Sequence, residues 1–125
     1  MMPSMKRSWG LHTAMENEKF LKFIGLAARA GKLVYGAQGV DQAIKKRKAK
    51  LVIVDGGASE NTKKEIGDAC AYYHVRIIIL DESGALGQSL HKPNNKVIGI
   101  VCPQFAQSAW DKYNAISGGE TIEQD

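Results

Sequence analysis

Three runs of β-branched residues constrain this chain more tightly than anything else in it: "KLVIVD" at 50–55, "VRIIIL" at 75–80 and "VIGIV" at 97–101. None alternates apolar with polar residues, so none suits a strand with one wet face. Continuous apolar runs of this length are expected to be strands buried on both sides, in a sheet covered above and below. "LVYG" at 33–36 adds a shorter strand. The segments between the runs repeat apolar residues at three- and four-residue steps. That alternation predicts an α/β domain with helices on both faces of the sheet.

The helices can be bounded. "NEKFLKFIGLAARAGK", 17–32, has Asn17 as an N-cap, Glu18 at the positive helix end, a stripe of Phe20, Phe23, Ile24, Ala27 and Ala28, and Gly31 for a left-handed C-terminal cap. A second helix is expected from about Ala37 to Arg47. Ser59 starts a third over 60–73, with Glu60 complementing its dipole. A short helix spans Gly84 to Leu90, and a polar loop, "HKPNNK", leads to the last strand. The closing helix, "QFAQSAWDKYNAI", turns Phe105, Ala109, Trp110 and Tyr113 inward. A length of 125 residues suits one domain, expected over 16–117 between a disordered leader at 1–15 and a loose acidic tail at 118–125. Met15 offers an alternative start.

Catalytic or metal chemistry finds little to build on. His12, His74 and His91 have no metal-ligand spacing, and Cys70 and Cys102 sit in apolar contexts without a CxxC pattern. His74 reads as a surface turn residue. Walker, GxGxxG and nucleophile-elbow motifs are absent. "VIVDGGAS" sets a carboxylate and two glycines after a strand, where α/β enzymes hold metals or phosphates. Asp55 lacks a clear acidic partner, although Asp81 and Glu82 end the next strand, so a turn residue is the favoured reading and a metal ligand the alternative. No cofactor or metal is expected. The cysteine usage fits a reducing cytosol, the start has no secretory pattern, and no apolar run approaches the roughly 20 residues of a membrane span.

Charge is the stronger signal. The net charge is +4, but residues 1–50 hold eleven Lys/Arg against three Asp/Glu, while residues 51–125 hold six against ten. The first half therefore builds an electropositive face suited to phosphates. Its centre is "VYGAQGVDQAIKKRKAK", 34–50. On a helical wheel Val40, Ala43 and Ile44 share one face; Gln38, Gln42, Lys45, Lys46 and Ala49 share the other. Arg47 falls on the apolar side, so the helix ends there or the side chain snorkels out. Gly36 permits a tight turn into the helix and Gly39 lets a bulky partner approach its first turn. Glutamines can meet base edges and lysines neutralise phosphates. The strip fits a nucleic-acid face, and it also fits a solvated lysine-rich helix.

The blocks "IGLAARAGKLVYG" (24–36), "KAKLVIVDGGASENTKKEIGDACAYYHV" (48–75) and "ALGQSLHK" (85–92) resemble, in order and spacing, the YlxQ-type bacterial members of the archaeal L-seven-Ae-like kink-turn RNA-binding ribosomal protein family. The resemblance covers about 18–107. It implies a three-layer α/β/α sandwich with a four-stranded mixed sheet and no enzymatic activity. It also implies RNA binding at the turn into the second helix and at the loop before the last strand. Carried over, the family's glycine is Gly36, its Asn position is Gln38, its Glu position is Gly39 and its lysine position is Gln42; the second loop is His91–Lys96. Gly39 cannot accept from a guanine amino group as a carboxylate does, and Gln42 lacks a lysine's charge. Binding is therefore expected to be weaker, more electrostatic or differently specific.

The expected RNA-binding residues are Lys32, Gly36, Gln38, Gly39, Gln42, Lys45, Lys46, Lys92, Asn94, Asn95 and Lys96. The expected partner is structured RNA, a kink-turn or ribosomal RNA, with the ribosome as a further candidate, no membrane and a monomeric state. Two alternatives stand. One is a ribosome-associated protein-interaction module, for which no exposed apolar patch stands out. The other is a small phosphate-binding enzyme using Asp55, Gly56 and Gly57.

Overall fold

The β-branched runs become strands because each is apolar on both faces and is met by helices from both sides. In the computed structural model, residues 18–116 are described; the leader, the Asn17 cap and the tail lie outside them. Helix α1 covers 18–29, followed by β1 (Leu33–Tyr35), α2 (Ala37–Lys45), β2 (Leu51–Val54), α3 (Glu60–Tyr73), β3 (Arg76–Ile79), α4 (Ala85–Leu90), β4 (Val97–Ile100) and α5 (Pro103–Ile116). The sheet order is β1-β4-β2-β3. Strands β2 and β3 run parallel, joined through α3 as parallel neighbours require. Strand β4 inserts antiparallel between β1 and β2, with Ile100 opposite both Leu33 and Leu51. This is the expected α/β/α sandwich with a four-stranded mixed sheet.

One strand supplies two cores. Leu51 and Ile53 point into a layer with Phe20, Ile24, Leu86 and Ala109, while Val52 and Val54 point into the other with Val40, Ile44, Ile66 and Cys70. Every residue of β2 and β4 is buried. Gly99 interrupts the last run for a steric reason. A Cβ there would lie 3.1 Å from Val34 Cγ2 and 3.6 Å from Val40 Cγ2, so the missing side chain lets α2 close on the sheet.

Strand β3 corrects the expectation of a third fully buried run. Arg76 and Ile79 are exposed and only Ile78 of its four residues is buried, because β3 is the sheet edge and has β2 alone as neighbour. Arg76 covers part of that edge by lying over Trp110, 4.9 Å from the ring centroid.

Helix α2 also ends earlier than periodicity predicts, at Lys45. Arg47 turns left-handed (φ 60°), and the N–H groups of Lys48 and Ala49 both donate to the Ala43 carbonyl, at 2.8 and 3.1 Å. The chain leaves the helical wheel there. Ala49, assigned to the polar strip, is therefore buried against the α2–α3 layer, while Arg47 is exposed. Helix α3 matches its expected bounds. Ser59 Oγ accepts from the Thr62 N–H at 3.1 Å, and His74 closes the helix in the left-handed region (φ 60°). Ser59→Ala should lower stability by about 1 kcal/mol, read as a shifted urea midpoint with an unchanged slope. No helix among the described residues is long and apolar enough to cross a membrane.

Candidate nucleic-acid interface

The junction between β1 and α2 depends on Gly36. Its backbone (φ 85°, ψ 150°) is one that side chains rarely adopt, and it turns the chain from strand to helix in a single residue. The Gly36 N–H donates to the Val97 carbonyl at 2.8 Å, and its own carbonyl accepts from Val40 N–H at 2.9 Å. No side chain caps α2, so its first-turn amides point outward without an intrahelical acceptor. The bond to Val97 ties this helix start to the end of the 91–96 loop. The loop returns the contact, with Lys92 Nζ 5.0 Å from the Tyr35 ring centroid. Two segments about sixty residues apart in the chain thus share one end of the sheet.

Gln38 and Gln42 are exposed along α2 beyond Gly36. Gly39 has ordinary helical φ, and a Cβ there would meet nothing within 4 Å. Packing does not demand glycine at 39; its effect is on whatever approaches from outside. Lys45 lies further along the same face and is engaged by Asp41, Nζ to Oδ2 2.9 Å; that hydrogen bond, then the carboxylate's charge, raises the lysine's pKa. Lys46 caps the helix C-terminus, about 13 Å from its start at 1.5 Å per residue.

The rest of the expected set is divided. Lys92 and Asn94 are exposed on the loop, but Asn95 buries its Nδ2 without a partner among the described residues. Lys96 turns toward Asp55. Lys32 stands at the opposite end of β1 from Gly36. Its carbonyl accepts from Val101 N–H at 2.9 Å, and its charge acts on Cys102 at the start of α5. The Cys102 thiol is held below its ordinary value, first by the Phe105 amide, with the Gln104 amide and Lys32 adding to it against a burial effect. Burial pushes the Cys70 thiol the other way, up to about 11.

The geometry that supports the loop rests on Asp55 and on Gly87. Asp55 is fully buried. Its Oδ2 accepts from Gly57 N–H at 2.8 Å and Gly84 N–H at 2.7 Å, and its Oδ1 accepts from Leu86 N–H at 3.0 Å. The turn reading covers only the first of these bonds. The other two cap α4, whose own N-cap, Gly84, has no side chain. Burial acts to raise the pKa of Asp55 and is the largest single influence. The amides of Gly84, Leu86 and Gly57, with the charge of Lys96, outweigh it and hold the carboxyl below its usual range. In the "DGGAS" segment Gly56 N–H donates to Glu82 O, Gly57 N–H to Asp55 Oδ2 and Ala58 N–H to Asp55 O, so neither glycine offers an amide to an anion. Gly87 lets the loop fold back on α4, for a Cβ there would lie 2.7 Å from the Lys92 carbonyl and 2.9 Å from that of Pro93.

Exposed apolar groups that no periodicity argument isolates are Leu26, Tyr35, Tyr72 and Ile79. Leu26, with Leu21, Gly25, Ala85 and Leu90, lines a groove of about 1030 Å³ between α1 and α4.

Residues 18–109 match the Ribosomal protein L7Ae/L30e/S12e/Gadd45 family. The chain is 43% identical over 90 residues to RNA-binding protein YlxQ of Enterococcus faecium, covering 72% of this chain and 86% of that protein. It is 35% identical over 92 residues to RNA-binding protein YlxQ of Bacillus subtilis strain 168, covering 74% and 92%. Among solved structures, a protein of unknown function from Bacillus halodurans superposes with a TM-score of 0.73 at 30% identity, over 77% of this chain and 97% of that one. The Giardia lamblia 15.5kD RNA binding protein superposes with a TM-score of 0.63 at 18% identity, over 84% and 90%, a likeness of fold alone. Sequence and architecture agree, and the chain belongs to the Ribosomal protein L7Ae/L30e/S12e/Gadd45 family.

Proposed function

We propose that this chain is a non-catalytic, cytoplasmic RNA-binding protein whose domain at 16–117 takes structured RNA, a kink-turn or a fold of ribosomal RNA, against the start of α2 and the 91–96 loop. The observation that carries the reading is the convergence of these two segments, through Gly36 N–H on the Val97 carbonyl at 2.8 Å and Lys92 over Tyr35. The names of the two YlxQ relatives point to the same polymer. In this reading the outward first-turn amides of α2, just after Gly36, meet phosphate and Gln38 reads a base edge. Lys92, Lys46 and Lys45 neutralise the backbone, Lys45 by exchanging Asp41 for phosphate. Gln42 and Asn94 add neutral contacts, and Gly39 admits the bent backbone. Lys32, Asn95 and Lys96 act at most indirectly.

The test compares a kink-turn RNA with a plain duplex. Gln38→Ala should lower affinity for the kink-turn by about tenfold or more and leave the duplex nearly unchanged, since one base-edge contact is worth about 1–3 kcal/mol. Lys92→Ala should weaken both RNAs and reduce the slope of log affinity against log salt by about 0.9. Equal losses on both RNAs for Gln38→Ala would sink the base-reading role, and an unchanged slope for Lys92→Ala would sink the phosphate contact.

A further inference from the structure

At the far end of α2 a second cluster forms that the RNA site at Gly36 does not use. The chain turns after Lys46 and carries Arg47, Lys48 and Lys50 outward, all exposed. The turn is fixed. Arg47 adopts the left-handed region (φ 60°), its N–H donates to Ile44 O at 3.0 Å, and its carbonyl accepts from Lys50 Nζ at 3.2 Å. Beside it the last turn of α3 presents Tyr72 and Tyr73, ring centroids 4.9 Å apart and nearly edge-on at 73°. Tyr73 packs against the α2–α3 core, and the Arg47 guanidinium lies 5.6 Å from its ring centroid. Tyr72 is 76% exposed, the most exposed of the large apolar side chains described.

Packing does not account for Tyr72. An aromatic ring left this far in water contributes little to the core and costs helix propensity that a lysine or alanine would not. Its surroundings narrow the partner. A protein surface seeking an apolar patch would meet one ring rimmed by cations. An acidic peptide would use the cations and have no need of a flat, free ring. Single-stranded nucleic acid needs both, an aromatic face for a base and cations spaced along the backbone. The nearest acid on α3 is Asp68, one turn before Tyr72, and Lys64 Nζ stands 3.4 Å from it.

We propose that Tyr72, Arg47, Lys48 and Lys50 form a second RNA contact, for a single-stranded segment. One base stacks on Tyr72, Tyr73 supports that ring edge-on and is itself covered by Arg47, and the adjoining phosphates lie on Lys48 and Lys50. The cluster stands past the far end of α2, whose nine residues span about 13 Å from the Gly36 end, so one RNA can occupy both contacts when its structured part continues into a single strand. The proposal rests on the RNA-binding reading for the identity of the polymer and not for the site.

The experiment measures fluorescence anisotropy of the full chain with three labelled probes: a kink-turn RNA, the same RNA with a single-stranded uridine extension, and an oligouridine of about twelve nucleotides. The extension should tighten binding about tenfold, the effect of one stacked base. Tyr72→Ala should abolish that gain and Tyr72→Phe keep it, both with unchanged affinity for the bare kink-turn. Arg47→Gly, which suits the left-handed backbone, should halve the gain or more. No gain in the unaltered protein, a gain that survives Tyr72→Ala, or an equal loss on bare and extended RNA would each overturn the proposal. Oligouridine binding that depends on Tyr72, without binding of the bare kink-turn, would uphold it and remove the Gly36 site; bare binding without a gain would do the reverse.

Discussion

Replacing Asp55 with alanine should cost about 4 kcal/mol, read from urea denaturation, because three backbone N–H groups lose a charged acceptor and the Leu86 amide is left buried without one. Asp55→Asn should cost about half as much. Its one carbonyl oxygen can take the place of Oδ2 and keep Gly57 and Gly84, while its NH₂ faces the Leu86 N–H. The acid limb gives an independent readout. The carboxyl's pKa is lower folded than unfolded, where it is about 3.9. Its contribution is therefore complete above the unfolded value and fades as pH falls from there through the folded value. The unaltered protein should lose this stability below about pH 4, and Asp55→Asn should show a flatter acid limb. A loss under 1 kcal/mol for Asp55→Ala, or acid limbs that superimpose, would show that the three bonds hold little.

Gly56→Ala is the second large effect, expected at about 3 kcal/mol. The added Cβ would lie 2.6 Å from the Asp81 carbonyl oxygen and 2.7 Å from those of Glu82 and Leu80. These are main-chain atoms and cannot rotate aside. Segment 80–82 must move off the end of β2, and two bonds stretch with it, Gly56 N–H to Glu82 O at 3.0 Å and Leu80 N–H to Val54 O at 2.8 Å. Gly39→Ala is the matched control. Its Cβ meets nothing and its backbone is helical, so it should stabilise by up to about 1 kcal/mol. Equal melting temperatures for the two variants would remove the steric account.

What was legible in the sequence is what a residue demands of its immediate surroundings. The runs at 51–54 and 97–100 demanded burial on both faces and have it. Ser59 demanded a helix start, Gly31 a left-handed close (φ 71°), and the face of Val40, Ala43 and Ile44 a core. What failed depends on which distant segment arrives next door. "VRIIIL" looked like its sister runs, and only the strand order makes it an edge. Ala49 left its helical face because the helix stops at Lys45. Two of the three partners of Asp55 lie 29 and 31 residues away, beyond any local pattern. At the candidate site the α2 strip was visible as polarity and charge. The separation of Lys32 from Gly36 was not, since three strand residues between them set the two at opposite ends of β1.

The sheet order has a consequence for the order of events in folding. Strand β4 is the last of the four to be made, yet it lies between β1 and β2 and is the sole neighbour of β1. A growing chain that stops short of Val97 can pair β2 with β3 and pack α3 on them, but β1 has nothing to pair with. The turn at Gly36, whose N–H is held by Val97, is then without its anchor. Closure must span more than sixty residues of sequence, which slows it. The surface proposed at Gly36 is thus completed only when β4 arrives, so a partly made chain cannot engage RNA through that surface ahead of the finished one.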